Sequence, residues 1–219
     1  IKPPEVKLYQ CGPTVYNTAH IGNLRTYITN DILRRTLEYN GFKVRQVMNI
    51  TDVDDKTIRR SKEEKTSLKD LTSRYEKTFL FDIEKLNILR PASLLRATEN
   101  IEGMIRLIEK LLEVGVAYKT TDGIYFDISK SKDYGQLANL KIEDFSVSRI
   151  INDEYDKENP RDFALWKFRT KEDGEVFFEA PFGDGRPGWH IECSAMAMSA
   201  FGETLDIHTG GQDLIFPHH

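Results

Sequence analysis

The strongest constraint on the fold is one short stretch, Leu8–Asn23, which has the pattern of a strand, a turn and the start of a helix. Val6 and Leu8 alternate with polar residues, as in a half-buried strand. Gly12-Pro13 ends that strand. The chain beyond it carries apolar residues at helical spacing, which predicts an amphipathic helix with Ile21, Leu24, Ile28 and Ile32 on its apolar face.

The start of this helix has the features of an anion site. Asn17 or Thr18 is expected to cap it. Unpaired backbone N–H groups and the positive end of the helix dipole suit a phosphate. His20 adds an imidazole donor, and Gly22 has no side chain to obstruct a ligand. From these residues alone, a nucleotide site and a capped, packed turn both remain open, and the packed turn is the commoner use of such a sequence.

A second strand follows the helix and indicates the kind of sheet. Gly41 ends the helical pattern, and Val44–Ile50 is expected to be a strand. A strand, a helix and a strand within this length indicate a βαβ unit with parallel strands. Thr51–Lys56 follows at the carboxyl end, where ligands of such sheets bind. Its three acidic residues could hold a cation or cap the next helix, and capping is favoured because the spacing is not that of a calcium loop.

The central part of the chain changes in character. Two amphipathic helices are predicted, and the first opens with the capping box Ser67-x-x-Asp70. The second is expected to end near Gly115, with an apolar face of Ile101, Met104, Ile105, Ile108 and Leu112. From about Val116 the pattern is that of short strands, with a hairpin that turns at Asp122-Gly123. Polar, irregular sequence then runs from Ser129 to about Asn159, and 176–178 is strand-like.

The last part returns to the pattern of the first. Pro181–Trp189 is rich in turn residues, His190–Met198 is expected to start a helix, and Leu205–His208 is expected to be a strand. We therefore predict an α/β fold, a Rossmann-like parallel sheet interrupted by a smaller mixed α/β insertion. The predicted domains are 1–115 (first half of a nucleotide-binding catalytic domain), 116–185 (insertion) and 186–219 (start of the second half).

Composition restricts the class of protein. The chain has 219 residues, of which 39% are apolar and 30% charged, as in ordinary globular proteins. No run approaches the roughly 18 apolar residues of a membrane span, and no signal peptide is evident. The net charge of −4 argues against a broadly basic, nucleic-acid-coating surface. Cys11 and Cys193 do not form a secreted disulfide pattern, so a reducing cytoplasm is expected.

Four segments, in order along the chain, resemble the cysteinyl-tRNA synthetases. The first contains Cys11–Tyr16 and His20–Asn23, and the latter is similar to the HIGH signature of class I aminoacyl-tRNA synthetases. The others are Asn49–Lys56, Gly188–Ser194 and His208–His219. One such segment is weak evidence, whereas four in the family's order are specific. The resemblance implies a monomeric enzyme that activates L-cysteine with ATP and transfers it to tRNA(Cys).

The resemblance also implies a metal centre. One Zn²⁺ would be held by Cys11, Cys193 and His218, with a Glu three residues after His219 as the fourth ligand. The spacing alone would leave the two cysteines as small buried apolar residues. Zinc fits the implied task, because it takes thiolate and imidazole ligands and can accept a substrate thiolate at an exchangeable position. A pocket that reads a methylene-sized difference discriminates only about 10–200-fold, so the metal would supply the remaining selection of cysteine over serine.

The nucleotide site is carried over in the same way. His20 and Asn23, with backbone amides near Gly22, would bind the phosphates of ATP, with Mg²⁺ as the accompanying ion, and stabilise charge as pyrophosphate leaves. Asn23 stands where the HIGH signature has its second His, and an amide can donate a hydrogen bond but cannot become cationic. The segment that would lie near the adenosine contains His208, Gly210 and Gly211.

Three residues match positions of the amino-acid pocket. Thr51 and Trp189 would shape it, and Asp213 would pair with the ammonium group of the substrate. Each residue also has a plain structural alternative when it is taken singly. Trp189 could be a core residue, Asp213 a helix cap, and His208 a surface residue at a strand end.

Parts of the family pattern are not present up to His219. They are the KMSKS loop that closes over ATP, the helical domain that reads the anticodon, and the fourth zinc ligand. The chain is therefore expected to correspond to the amino-terminal part of such an enzyme. Two other functions stay open. One is a ligase that joins cysteine to an amino sugar in mycothiol synthesis, and the other is a truncated, non-catalytic paralogue that binds nucleotide or RNA.

Overall fold

The computed structural model describes residues 4–137 and 161–218, so most of the predicted irregular stretch and His219 lie outside the described residues. The chain divides into two compact units, Ile1–Asn100 with Cys193–Gly211 and Ile101–Glu192 with Gln212–His219. The predicted domain boundaries, 1–115, 116–185 and 186–219, stay a prediction.

The strands are β1 (Glu5–Gln10), β2 (Lys43–Ile50), β3 (Ser93–Arg96), β4 (Ala117–Lys119), β5 (Gly123–Phe126), β6 (Phe163–Phe168), β7 (Gly185–Pro187) and β8 (Ile207–Thr209). The helices are α1 (Ile21–Tyr39), α2 (Asp55–Glu63), α3 (Leu68–Lys85), α4 (Ile101–Glu113) and α5 (Trp189–Phe201).

The first unit is built on a parallel sheet of four strands in the order β3-β2-β1-β8. β1 pairs with β2 from Glu5 opposite Lys43 to Gln10 opposite Met48, and it pairs with β8 on its other side. Parallel neighbours need a crossover connection, and α1 provides it between β1 and β2. The predicted α/β fold with a Rossmann-like parallel sheet is confirmed.

The cap of α1 differs from the prediction. His20, rather than Asn17 or Thr18, is the N-cap residue. Its Nδ1 accepts a hydrogen bond from the backbone N–H of Gly22 at 3.0 Å. The side-chain Oδ1 of Asn23 accepts one in return from the backbone N–H of His20 at 3.2 Å. These reciprocal bonds satisfy two N–H groups at the helix start, as in a capping box.

Of the four residues predicted to form the apolar face of α1, only Leu24 packs against the core. Asp31 is buried because its carboxylate accepts hydrogen bonds from Arg35 Nε at 2.6 Å and from the backbone N–H of Leu89 at 2.9 Å. A buried polar group is tolerated when it is hydrogen-bonded in this way. Tyr27 supplies apolar contact on the buried side, with its ring edge-on to that of Phe79 at 4.9 Å. The predicted core positions that are exposed instead are Ile21, Ile28 and Ile32.

The next two helices start as predicted. Asp54 caps α2, and its carboxylate accepts a hydrogen bond from the backbone N–H of Lys56 at 2.8 Å. Ser67 caps α3, where its hydroxyl accepts one from the backbone N–H of Asp70 at 3.0 Å. The apolar stripe of α3 is buried at Leu71, Phe79 and Ile83. Within the described ranges, no helix combines the length and the apolar character needed to cross a bilayer.

The second unit contains an antiparallel sheet in the order β4-β5-β6-β7. β4 and β5 form the predicted hairpin, with Tyr118 opposite Tyr125. The strand-like segment 176–178 contributes an isolated bridge between Phe178 and Gly185 rather than a strand. The predicted apolar face of α4 is confirmed, with Ile101, Met104 and Ile108 buried.

The close approach of the chain at Gly12 can be tested by substitution. A Cβ at this position would lie 1.7 Å from the backbone carbonyl oxygen of Asn49, so Gly12→Ala must displace the backbone. We expect a loss of about 3 kcal/mol or more in the free energy of unfolding, measured by chemical denaturation. Gly103→Ala is the control, since its Cβ would have its nearest neighbour at 4.0 Å and alanine favours a helix by about 1 kcal/mol. Equal stability of Gly12→Ala and the parent would contradict this packing.

Candidate active site

Cys11 lies directly after β1, at the carboxyl edge of the parallel sheet. Its backbone N–H donates to the carbonyl oxygen of Thr209 at 2.8 Å. The N–H of the next residue, Gly12, donates to the side-chain Oδ1 of Asn49 at 2.8 Å. These two bonds hold the chain in place where it leaves the sheet. The thiol is therefore kept in the interior, and Cys11 is only 7% exposed.

A second thiol lies beside the first, within the same unit. Cys193 belongs to α5 and is buried. Its Sγ lies 3.8 Å from the Sγ of Cys11, and both cysteines are free. A disulfide would require about 2.05 Å, so the two sulfurs are neighbours without a covalent bond. The structure thus brings together two of the three residues predicted to hold zinc.

The imidazole of His208 lies beside the sulfur of Cys11. The three residues Cys11, Cys193 and His208 are here called the thiol cluster. His208 lies in β8, opposite Tyr9 of β1 in the parallel register, and its ring is edge-on to the Tyr9 ring at 5.2 Å. Its Nε2 is 3.2 Å from the Sγ of Cys11. Sequence reasoning placed His208 in an adenosine segment and missed this contact. The signal that could have found it is the parallel register, which puts the carboxyl ends of β1 and β8 side by side.

The two sulfurs of the thiol cluster fit the metal that the sequence resemblance implies. Two thiolates on a tetrahedral zinc, each at about 2.3 Å from the ion, lie about 3.8 Å apart. The two sulfurs are separated by 3.8 Å. Thiolate donors suit zinc, whereas calcium and magnesium prefer oxygen. The arrangement can therefore accept a thiophilic ion with little movement of either cysteine.

His218, the third predicted ligand, belongs to the second unit. Its Nδ1 lies 3.0 Å from the Nδ1 of His190. Its ring lies 5.9 Å from the ring of Trp189, which is 38% exposed and so is not a core residue. The role of His218 as a metal ligand and that of Trp189 in the amino-acid pocket stay predictions.

The three residues predicted to bind ATP phosphates lie together at the start of α1. His20, Gly22 and Asn23 are all exposed, and His20 and Asn23 form the capping box described above. A Cβ on Gly22 would lie 2.8 Å from Cε1 of His20. Glycine at this position therefore lets the imidazole fold over the first turn of the helix. The structure shows the capped turn, and the binding of ATP phosphates at this helix start stays a prediction.

The other predicted site residues lie at strand ends or in a short helix. Thr51 follows β2 and is buried. Its backbone N–H donates to the carbonyl oxygen of Pro13 at 3.0 Å, and its carbonyl oxygen accepts a hydrogen bond from the N–H of Val15 at 3.1 Å. Gly210 and Gly211 follow β8 in the first unit, and Asp213 lies exposed in the 3-10 helix Gln212–Leu214 of the second unit.

Asp52 is a buried carboxyl to which the sequence analysis assigned no separate role. It accepts hydrogen bonds from the backbone N–H and the hydroxyl of Thr98, at 3.0 and 2.5 Å. It borders a cavity of about 640 Å³ in the first unit, also lined by the ion pair of Glu76 and Arg96. Burial raises the pKa of Asp52 more than the bonds from Thr98 lower it. Its position directly after β2 is the sequence feature that could have marked Asp52 as a candidate site residue.

Comparison with known proteins identifies the family. All 219 residues match the class I (C) tRNA synthetase catalytic domain. The chain belongs to this family. The cysteine–tRNA ligases of Methanosarcina mazei and Brachyspira hyodysenteriae are each 53% identical to it over 100% of this chain and 47% of their own length. That of Chlamydia caviae is 52% identical over 98% of this chain and 46% of the relative. This class I (C) synthetase chain thus spans about half the length of the curated relatives it matches.

A solved structure shows the same fold. Methionyl-tRNA synthetase of Mycobacterium tuberculosis, in complex with methionyl-adenylate, is similar with a TM-score of 0.72. The alignment covers 97% of this chain and 52% of that one, at 15% sequence identity. At this identity the likeness concerns the fold, and it agrees with assignment of the chain to the class I synthetases.

Asp52 gives the protein a predictable dependence of stability on pH. Its pKa in the folded state is above that of an unfolded carboxyl, about 3.9, so the folded state keeps the proton to higher pH. The contribution of Asp52 to the free energy of unfolding therefore falls as the pH rises from about 4 through the folded-state pKa. Asp52→Asn can keep both bonds to Thr98 while removing the titration. In urea unfolding, we expect the free energy of unfolding of this variant to lack the decrease with pH that Asp52 causes in the parent. The same pH dependence in variant and parent would contradict a raised pKa of Asp52 in the folded state.

Proposed function

We propose that the protein activates L-cysteine with ATP and transfers it to the 3′ end of tRNA(Cys). The observation that carries the proposal is the buried pair of thiols, Cys11 and Cys193, with 3.8 Å between their sulfurs. Cys11 stands at the carboxyl edge of the parallel sheet, where ligands of open α/β folds bind. The relatives named cysteine–tRNA ligase support cysteine as the amino acid.

We assign the selection of cysteine to one Zn²⁺ held by Cys11, Cys193 and His218. When bound, the ion supplies a Lewis-acid position for the sulfur of the amino acid. The distance between the two protein sulfurs and their thiolate chemistry support this assignment. The hydroxyl of serine stays un-ionised and is a poorer zinc ligand, so selection does not depend on a difference in side-chain size, which is worth only about 10–200-fold.

The remaining contacts with the amino acid come from three residues. Thr51 and Trp189 shape the pocket. The carboxylate of Asp213 pairs with the ammonium group of the substrate, which leaves the substrate carboxylate as the reacting group. Ionic pairing at one end and metal binding at the other would orient the amino acid by both of its distinctive groups, and orientation is a large part of such catalysis.

ATP is assigned to the start of α1. His20 accepts a hydrogen bond at Nδ1 from the N–H of Gly22, so in the neutral ring the proton is on Nε2. That N–H can donate to a phosphate oxygen, and the amide of Asn23 offers a second donor. The helix dipole favours the negative charge, and Mg²⁺ accompanies the nucleotide. Gly210 and Gly211, at the end of β8, are assigned to the adenosine.

The reaction proceeds in two steps. The cysteine carboxylate attacks the α-phosphorus of ATP, which gives cysteinyl adenylate and releases pyrophosphate. A ribose hydroxyl of the terminal adenosine of the tRNA then attacks the carbonyl carbon, and AMP leaves. The protein acts by positioning and by stabilising charge, without a covalent nucleophile of its own. The chemistry requires free thiols, which fits a reducing cytoplasm.

The activity is tested by ATP–pyrophosphate exchange in the full-length protein. Exchange should depend on cysteine and should not be supported by serine at the same concentration. Transfer of the activated cysteine to tRNA(Cys) should follow when the tRNA is added. Absence of exchange with either amino acid overturns the proposal, and transfer to glucosaminyl inositol instead of tRNA assigns the protein to mycothiol synthesis.

The metal assignment is tested by Cys193→Ser. Loss of one thiolate should reduce zinc retention against a chelator by about tenfold or more and should raise the KM for cysteine far more than the KM for ATP. Ser194→Ala is the control, because Ser194 is the neighbouring residue and is exposed, and its zinc content should match the parent. Equal zinc content in Cys193→Ser and the parent, by elemental analysis, would contradict the ligand assignment.

A further inference from the structure

The contact between His208 and Cys11 points to a role that neither the family match nor the resemblance assigns. We propose that His208 is a positioning residue of the metal site: its Nε2–H donates a hydrogen bond to the sulfur of Cys11 and holds that sulfur in the orientation the metal requires. This inference rests on the proposed function, because it concerns the same site. It gives His208 a partner other than the adenosine.

The position of the imidazole is set by the sheet. His208 is paired opposite Tyr9 in the parallel register of β1 and β8, and the backbone N–H of Cys11 donates to the carbonyl oxygen of Thr209 at 2.8 Å. The edge-on contact with the Tyr9 ring restrains the tilt of the imidazole. The backbone pairing of β1 with β8 therefore places the donor beside the sulfur.

The distances favour a hydrogen bond over shared ligation of one ion. A nitrogen at about 2.05 Å and a sulfur at about 2.3 Å from a tetrahedral zinc lie about 3.6 Å apart. The observed separation of Nε2 and Sγ is shorter, 3.2 Å. By contrast, the separation of the two sulfurs equals the tetrahedral value. Cys11 and Cys193 thus have the spacing of two ligands, whereas His208 has the spacing of a donor to one of them.

The chemistry fixes the direction of the bond. A cysteine that binds zinc is a thiolate, which carries no proton and can only accept. The proton must therefore be on Nε2 of His208, and that N–H is engaged by sulfur rather than by a nucleotide. Hydrogen-bonding partners of metal ligands orient the ligand and tune the metal, and their loss typically costs about 10–100-fold in metal affinity or activity.

The test compares two substitutions of His208 in the full-length protein. His208→Phe keeps a ring of similar shape without a donor, and His208→Gln keeps an N–H donor. Zinc retention against a competing chelator should fall about 10–100-fold in His208→Phe and less in His208→Gln. In the cobalt-substituted protein, the thiolate-to-cobalt absorption band should shift in His208→Phe. His20→Phe, the same change at the start of α1, should leave zinc retention at the parent level.

Kinetics separate the two roles of His208. A positioning role raises the KM for cysteine and leaves the KM for ATP unchanged, whereas an adenosine contact does the reverse with zinc retention unchanged. The second pattern, or parental zinc retention in His208→Phe, overturns this inference. If the parent retains zinc and exchanges pyrophosphate, and His208→Phe has the same zinc retention and the same KM values, only the positioning role of His208 is wrong. If the parent binds no zinc, both the inference and the metal assignment fail.

Discussion

The candidate site depends on the parallel pairing of β1 with β8, two strands that stand near opposite ends of the chain. The pairing puts Tyr9 opposite His208, and the bond from Cys11 to Thr209 extends it by one residue. Lys7 adds to the connection, because its Nζ donates to the carbonyl oxygen of Phe201, the last residue of α5, at 3.0 Å. The helix that carries Cys193 is thereby tied to β1. A slip of one residue in this register would turn His208 to the opposite face of the sheet.

Completion of the sheet by distant segments explains how the chain accommodates a second compact unit. The entropic cost of closing a loop grows slowly with its length, by only about 0.6 kcal/mol for each doubling. The long segment Ile101–Glu192 therefore costs the first unit little, provided that the segment has a core of its own. The second unit meets that condition, with an antiparallel sheet and the buried face of α4.

Local patterns in the sequence predicted the elements more reliably than their environments. β1, β2 and the hairpin of β4 and β5 followed from alternation and turn residues, and the caps of α2 and α3 followed from their side chains. The buried face of α1 did not follow, because the partner that makes burial of Asp31 tolerable is the backbone N–H of Leu89, 58 positions away. Whether a polar residue is buried depends on such partners, and no local window contains them.

The contacts within the candidate site also join residues that are far apart in the sequence. Spacing gave no sign that Cys11 and Cys193 are neighbours, since they are 182 positions apart; the resemblance to known synthetases suggested it. Neither source predicted that His208 contacts Cys11, or that Thr98 donates two hydrogen bonds to Asp52. Both contacts join residues at the carboxyl edge of the sheet, so they follow from strand order and register once these are known.

The position of Cys11 at a strand end and of Cys193 in a helix has a consequence for the proposed selection of cysteine over serine. In small zinc domains the metal must fold the chain, so part of its binding free energy is used to order the backbone, at about 1–2 kcal/mol for each residue. Here the strand end that carries Cys11 and the helix that carries Cys193 are ordered by hydrogen bonds of the sheet and of α5. Under the proposed zinc assignment, the free energy of a metal–sulfur bond would then be available to distinguish a thiolate from a hydroxyl. A hydrogen bond from His208 would sharpen that distinction, because a sulfur held in one orientation leaves the metal less freedom to adapt to an oxygen ligand.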